Sequence, residues 1–147
     1  MTDVRRVGSG GTWEQAFGYC RAVRIGDRIL VSGCTAALDG GVRHQDDPAA
    51  QMRVAVDTAL TAIAALGGSA ADVVRTRIYV THRRDCEAVG RVHGEVFGAH
   101  PPAATMVIVA GLLHQDMRVE VEVEAVVGAA SPDHGEARAD TGAEAGQ

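Results

Sequence analysis

A strand of alternating valine and glutamate, from Met117 to Val127, constrains the fold of this chain more than any other feature. Successive side chains of a strand point to opposite faces of its sheet. One face therefore carries Val119, Val121, Val123 and Ala125, and the other carries Glu120, Glu122 and Glu124. Three carboxylates in a row are too costly to bury without partners. The pattern predicts a sheet whose valine face packs on helices and whose acidic face meets water, cations or a partner.

The remaining apolar patterns predict the order of elements along the chain. Gly26 and Asp27 separate two short apolar runs, which predicts a β-hairpin. Asp47 followed by Pro48 indicates a helix start, because aspartate can cap a helix and proline fits its first turn. The predicted elements are strands over 19–25 and 28–32, a helix over 49–66, a strand over 73–80, a helix from 85 to 97, and strands over 105–109 and 117–127. This β-β-α-β-α-β-β order predicts an α+β fold with one mixed sheet and two helices on one face.

The strand over 73–80 alternates in the same way as the valine and glutamate strand. Its predicted core face carries Val74, Thr76, Ile78 and Val80, and its predicted open face carries Arg75, Arg77 and Tyr79. The open face of the sheet would then combine arginines with the three glutamates. A half-polar face of this kind suggests an oligomer with that face turned toward its neighbours.

Composition divides the chain into three parts. Residues 1–16 are polar and glycine-rich, and we expect a loosely ordered N-terminal arm there. Residues 17–128 contain all the predicted strands and helices and form the folded domain. Residues 129–147 show no apolar periodicity, which is typical of a disordered tail.

Charge and composition exclude several classes of partner. A net charge of −5 and an aromatic content of 3% argue against nucleic-acid binding, which uses basic patches and stacking side chains. No apolar run is long enough to cross a membrane and no signal peptide opens the chain, so we expect a cytoplasmic location. Three widely spaced cysteines fit reduced thiols. His93 and Glu95 have the spacing of zinc deaminases, but the cysteine ligands downstream are missing, so no metal is expected.

Tyr19 and Arg21 are the first candidates for a ligand site. They share a face of the first predicted strand, two residues apart, so a phenol and a guanidinium could point into one cleft. Arginine can hold a carboxylate through two parallel hydrogen bonds. A cross-strand salt bridge from Arg21 to one of the glutamates fits the pattern equally well. Ser32 and Gly33, at the end of the second strand, could offer a hydroxyl and a backbone amide or form an ordinary turn.

Several short motifs together resemble one family. They are Gly18-Tyr19, Leu30-Val31-Ser32-Gly33, Asp72-Val73-Val74-Arg75-Thr76, Pro102-Ala103-Ala104-Thr105 and Val121-Glu122-Val123-Glu124-Ala125. On these residues the chain resembles the Rid (YjgF/YER057c/UK114) family, the reactive-intermediate deaminases once called L-PSP endoribonucleases. The resemblance covers roughly residues 17–127. It implies a chorismate-mutase-like fold, a homotrimer with ligand clefts between subunits, and no cofactor.

The resemblance also implies a reaction and a set of site residues. Active members hydrolyse enamines and imines made by pyridoxal-phosphate enzymes, releasing ammonia and a 2-keto acid. By correspondence, Glu122 would position the attacking water, and Tyr19, Ser32 and Gly33 would complete the pocket. The carboxylate-binding arginine of the family corresponds to Ala104, and a neighbouring cleft position corresponds to Met106.

The loss of arginine at position 104 separates this chain from the standard members. A methyl group cannot hold a carboxylate, and orienting the substrate is much of what such a site contributes. Ala104 therefore argues against ordinary 2-iminobutanoate deaminase activity and places the chain with the arginine-less subgroups. Arg21 is the predicted replacement cation. The main hypothesis is an imine or enamine hydrolase acting on a small-molecule metabolite. The alternative is a non-catalytic metabolite-binding or sensing module, and an endoribonuclease is the least favoured.

Overall fold

A mixed sheet of six strands forms the body of the computed structural model, which describes residues 1–38 and 40–130. The strands are β1 (Val4–Val7), β2 (Ala22–Ile25), β3 (Arg28–Cys34), β4 (Ala37–Leu38), β5 (Gly41–Val42), β6 (Val73–Val80), β7 (Ala103–Ile108) and β8 (Val119–Val126). The helices are α1 (Thr12–Phe17), α2 (Pro48–Ala65) and α3 (Cys86–Phe97). The sheet order is β1-β2-β3-β8-β6-β7, and β4 and β5 form a separate small hairpin. The predicted α+β fold with one mixed sheet is confirmed.

Strand β8 lies at the centre of the sheet, between β3 and β6, and is antiparallel to both. Its apolar residues Val119, Val121, Val123 and Ala125 are at most 1% exposed, whereas the three glutamates between them are half-buried. The alternation in the sequence therefore becomes a division between a dry face under the helices and a polar open face.

Helices α2 and α3 cover the dry face. Asp47 caps α2 by accepting a hydrogen bond from the Ala50 backbone amide at 3.0 Å, and Pro48 occupies the first turn, as predicted. The helix ends before Gly67, whose φ of +86° suits glycine far better than other residues. Helix α3 connects the parallel strands β6 and β7. Within residues 1–38 and 40–130, every helix is too short or too polar to cross a bilayer.

The N-terminal arm is more regular than the sequence predicts. It contains β1, which pairs with β2 at the edge of the sheet, and α1, whose C-cap is Gly18. The four-residue β1 is too short to show a period, and α1 has six residues and only a weak start signal, so neither is visible in the pattern. The predicted tail lies outside the described residues from position 131 onward.

Two details of the predicted strands are wrong, although Thr76, Ile78 and Val80 lie on the buried face as predicted. A bulge in the pairing of β6 with β8 lies between Val73 and Arg75, so Val73 is buried and Val74 is 38% exposed. An extra residue on one strand shifts all the side chains before it to the other face. The first strand of the predicted hairpin begins at Ala22 rather than at Tyr19. Tyr19 and Arg21 therefore precede the strand and do not share one of its faces.

A buried polar cluster joins the loop before β8 to the two helices. Arg118 donates from Nε and Nη2 to Asp85 Oδ2 at 2.9 and 2.6 Å, and both side chains are less than a tenth exposed. Gln51 accepts from the Arg118 backbone amide and donates to the Asp116 carbonyl, both at 2.8 Å. Buried polar groups with full hydrogen bonding stabilise one arrangement of the chain.

Candidate functional site

A β-bulge on the open face brings the predicted Ser32 and Gly33 to the acidic strand. The pairing of β3 with β8 matches Val31 with Val123 and Cys34 with Val121. Ser32 and Gly33 therefore lie together opposite the single residue Glu122, as in a two-versus-one bulge. The serine hydroxyl donates to the Cys20 carbonyl at 2.7 Å. The bulge thus places a Ser-Gly pair and a carboxylate side by side, as the family resemblance implies.

Glu120 is a second carboxylate beside the same bulge. A Cβ atom added to Gly33 would lie 2.0 Å from Oε1 of Glu120, so this side chain occupies the space that glycine leaves open. Burial raises the pKa of Glu120 above its usual range, the nearby charge of Arg21 opposes the rise, and Glu122 adds to it. The site therefore contains an acid that retains its proton more readily than an exposed glutamate.

The other two glutamates of β8 contact side chains of β6. The hydroxyl of Tyr79 donates a short hydrogen bond to Oε1 of Glu122. This bond raises the pKa of Tyr79 most, and burial adds a smaller rise. The phenol therefore stays protonated and remains a hydrogen-bond donor. Arg77 Nη1 lies 3.5 Å from Glu124 Oε1 in a partly exposed ion pair. Tyr79 thus fixes the orientation of Glu122, whereas Glu124 has a partner of its own.

Arg21 occupies a different position from the one its sequence spacing suggests. Its side chain is buried, with Nη1 donating to the Gly33 carbonyl at 2.5 Å and Nε donating to Ser9 Oγ at 3.3 Å. Nη1 also lies 3.5 Å from Cys34 Sγ. Arg21 therefore stabilises the bulge through its hydrogen bond to the Gly33 carbonyl. Its positive charge also favours the ionised form of Glu120 and so opposes the rise in the pKa of that carboxyl.

Tyr19 lies at an open cavity next to the bulge. Its ring is partly exposed, and the Arg21 guanidinium lies 5.7 Å from the ring centre. The cavity has a volume of about 500 Å³. Its walls are Arg6, Glu14, Gln15, Gly18, Tyr19, Cys20 and Ser32. Ser32 thus belongs both to the cavity and to the bulge beside Glu122.

Ala104 and Met106 are far from the other predicted site residues within one chain. Both lie on β7, the edge strand beyond β6, and pair with Thr76 and Ile78, which are buried on the dry face. Met106 packs against the core beside Gly90 of α3. Strands β8 and β6 therefore lie between these two residues and the Ser32–Gly33 pair, and the two pairs lie on opposite faces of the sheet.

The structure adds site residues that sequence reasoning did not select. Glu120 and Tyr79 were predicted only as residues of the open face, and Arg6 was not assigned to the site. The alternation did place Glu120 and Tyr79 on the open face, but their contacts depend on the register of three strands. Among the described residues no group of three or more His, Cys, Asp or Glu could hold a metal. His93 Nε2 instead lies 2.8 Å from Thr76 Oγ1, and burial lowers the pKa of the ring.

The fold and the acidic open face together define an α+β protein with one mixed sheet, helices on one face of the sheet and polar side chains on the other. The sequence model of the family described as Endoribonuclease L-PSP matches residues 13–127. The chain belongs to this family, also called YjgF/YER057c/UK114, and the resemblance read from its motifs is confirmed.

Relatives agree in both sequence and structure. An uncharacterized protein of Streptomyces coelicolor is 45% identical over 126 residues, which cover 86% of this chain and 94% of that protein. The crystal structure of a member of the YjgF/YER057c/UK114 family from Mycobacterium tuberculosis is 42% identical, with a TM-score of 0.78 over 85% of this chain and 100% of the other. A protein of unknown function from Pseudomonas aeruginosa is 27% identical, with a TM-score of 0.70 over 87% and 95% of the two chains.

Proposed function

We propose that the chain is a hydrolase of imines or enamines derived from small amino acids, and that it works as a homotrimer with clefts between subunits. One observation carries this proposal. Glu120 and Glu122 both lie beside the Ser32–Gly33 bulge, with burial raising the pKa of the first and Tyr79 orienting the second. Pairs of acids in different environments can divide the roles of proton donor and acceptor between them.

The two carboxylates can perform the hydrolysis as follows. Glu122, ionised, takes a proton from water while the water oxygen forms a bond to the iminium carbon, and the C=N electron pair moves to nitrogen. Glu120, protonated, then gives its proton to the amino nitrogen, and the C–N bond breaks. The hydroxyl proton of the product returns to Glu120 as the carbonyl forms. The proton on Glu122 passes to ammonia, so an iminium and water become a 2-keto acid and ammonium.

The positions of Ala104 and Met106 support the trimer. Within one chain they lie on the far edge strand and the opposite face from Glu122. A second copy that places its β7 edge against the open face would bring the two halves of the site together. The family resemblance implies this kind of intersubunit cleft.

Ammonia release tests the proposal. An amino-acid oxidase with catalase generates a 2-imino acid in situ, and ammonium appears faster when an active hydrolase is present. We expect the wild-type chain to accelerate release and Glu122→Gln to lose the acceleration. Glu95→Gln, on α3 and paired with Arg53, is the matched carboxylate control and should keep the wild-type rate. A wild-type rate equal to that of buffer for every imine tried would overturn the proposal.

A second candidate is a metabolite-binding module without turnover. Ala104 favours it, because this position lacks the cation that holds the substrate in active members of the family. Such a module would gain thermal stability from a small carboxylate, since a ligand that binds only the folded state raises its melting temperature. A shift with 2-oxo acids and no ammonia release would select this candidate. RNA cleavage is disfavoured, because three carboxylates on the open face would repel phosphates.

A further inference from the structure

The missing cation at position 104 raises the question of which basic residue could hold a carboxylate in the cavity that Tyr19 and Ser32 line. The answer depends on which arginines already form ion pairs or hydrogen bonds with other groups of the protein. Arg77 is paired with Glu124. Arg21, the replacement predicted from the sequence, is buried and donates to the Gly33 carbonyl and to Ser9. Neither presents an open guanidinium to a ligand.

Arg6 on β1 has a different environment. It is exposed and pairs through its backbone with Val23, while its neighbour Val7 packs against the core. Alternation along a strand therefore directs Arg6 to the open face. Its side chain lines the cavity that Tyr19 and Ser32 also line. Among residues 1–38 and 40–130, no side chain forms an ion pair with Arg6.

The other ionic group at the cavity wall is already satisfied. Glu14 accepts hydrogen bonds from the Ser9 amide and hydroxyl at 3.0 and 2.7 Å, and from the Gly11 amide at 2.9 Å. Burial raises the pKa of Glu14, but these bonds and the charge of Arg21 outweigh it and lower the pKa overall. Glu14 is therefore a fixed part of the α1 cap. Arg6 is the charged side chain of the cavity wall that has no ion-pair partner among the described residues.

We propose that Arg6 binds the carboxylate of the substrate in this cavity, in place of an arginine at position 104. The inference rests on the proposed hydrolase function and names its ligand class as small 2-imino and 2-oxo monocarboxylates. The guanidinium offers a fork of N–H donors that matches a carboxylate. Tyr19 forms an aromatic wall, and Ser32 connects the cavity to Glu122. The N-terminal strand thus determines the specificity of the site.

A binding experiment with matched variants tests Arg6. The probe is 2-oxobutanoate, titrated into isotope-labelled protein and followed by NMR chemical shifts, with 2-oxobutanamide as its uncharged analogue. Arg5→Ala is the control, because Arg5 lies on the same strand but on the other face, beside Asp3. We expect Arg6→Ala to raise the Kd for 2-oxobutanoate about tenfold or more, the usual effect of losing a charged hydrogen-bond donor. Arg5→Ala should stay within about twofold of wild type.

The uncharged amide analogue tests whether Arg6 recognises the charge of the ligand. Wild type should prefer the carboxylate to the amide, and Arg6→Ala should lose that preference. An Arg6→Ala Kd within twofold of wild type, an equal weakening in Arg5→Ala, or no binding of 2-oxobutanoate to wild type would each overturn the inference. Ammonia release by wild type is judged separately, so the hydrolase proposal stands if turnover persists while the Kd is insensitive to Arg6.

Discussion

The buried cluster of Arg118 and the open-face glutamates show two ways in which this fold treats charge. Arg118 and Asp85 meet at 2.6 Å with side chains 9% and 7% exposed, and Gln51 binds the backbone of the arginine. On the open face, Glu124 meets Arg77 at 3.5 Å with both side chains about a third exposed or more. Glu120 has no ion-pair partner within 4 Å among the described residues.

The difference indicates which charges stabilise the fold and which can act on a ligand. Buried ions with complete hydrogen bonding fix one arrangement, and removing one partner leaves the other uncompensated. Carboxylates with incomplete partners and a raised pKa are typical of functional sites. The comparison therefore assigns stability to the buried Arg118 cluster and is consistent with the chemistry proposed for the open face.

The largest expected effect is on stability, from a change in the buried Arg118 cluster. Asp85→Ala leaves the buried Arg118 with only the exposed Asp46, 3.2 Å from its Nη1, as a carboxylate partner, which should lower the free energy of unfolding by about 3 kcal/mol. Urea denaturation measures this change. Glu87→Ala, which removes an exposed carboxylate in the first turn of α3, the helix that begins directly after Asp85, should change stability far less. A loss below about 1 kcal/mol for Asp85→Ala would remove the distinction between the two regions.

The next effect is on the geometry of the open face. Gly33→Ala adds a methyl group 2.0 Å from the Glu120 Oε1 position, so the carboxylate must move. We expect ammonia release to fall about tenfold or more, because small displacements of catalytic groups are costly. Gly41→Ala meets no atom within 4 Å and serves as the control. Equal rates for wild type and Gly33→Ala would show that the position of Glu120 is not important.

A smaller effect concerns the pH dependence of stability. Because burial raises the pKa of Glu120, the folded state holds this proton more tightly than the unfolded state. The resulting stability is fully present below the ordinary glutamate pKa and is lost as the pH rises through the raised value. Glu120→Gln, neutral at every pH, should therefore melt a few degrees higher than wild type near pH 8 and match it near about pH 4. A variant that is less stable at about pH 8 would contradict the burial argument.

The smallest expected effect is on the exposed ion pair. Arg77→Ala removes the partner of Glu124. Because both side chains of this ion pair are partly exposed to water in the wild-type chain, the free energy of unfolding should change by less than about 1 kcal/mol. Thermal unfolding at low and high salt measures the change. A larger loss that disappears in salt would mean that the open face also contributes charge pairing to stability.

Local signals in the sequence predict much of the fold. The alternation from Val119 to Ala125 correctly predicts the central strand and its buried face, and Asp47 with Pro48 correctly marks the start of α2. Strand β1 and helix α1 are missed because both are too short to show a period in the sequence. The pairing of β1 with β2 depends on tertiary structure.

The candidate site depends more on tertiary structure. The motif around Ser32 and Gly33 predicts a site near Glu122, but the bulge that also brings Glu120 there depends on the register of β3 with β8. Arg21 looks like an open cation from its spacing, yet the strand begins one residue later and its guanidinium turns inward to the Gly33 carbonyl. Arg6 gives no signal in sequence, since only the added edge strand places it beside Tyr19.

The central claim is that Glu120 and Glu122 act together on one substrate. The most direct test measures ammonia release by Glu120→Gln, by Glu122→Gln and by the double variant, with melting temperatures recorded for all three. We expect each single variant to lose about a hundredfold or more, and the double variant to be no slower than the slower single, because groups that act as a unit are not additive. Single variants that keep the wild-type rate, or losses that simply multiply in the double variant, would contradict the account.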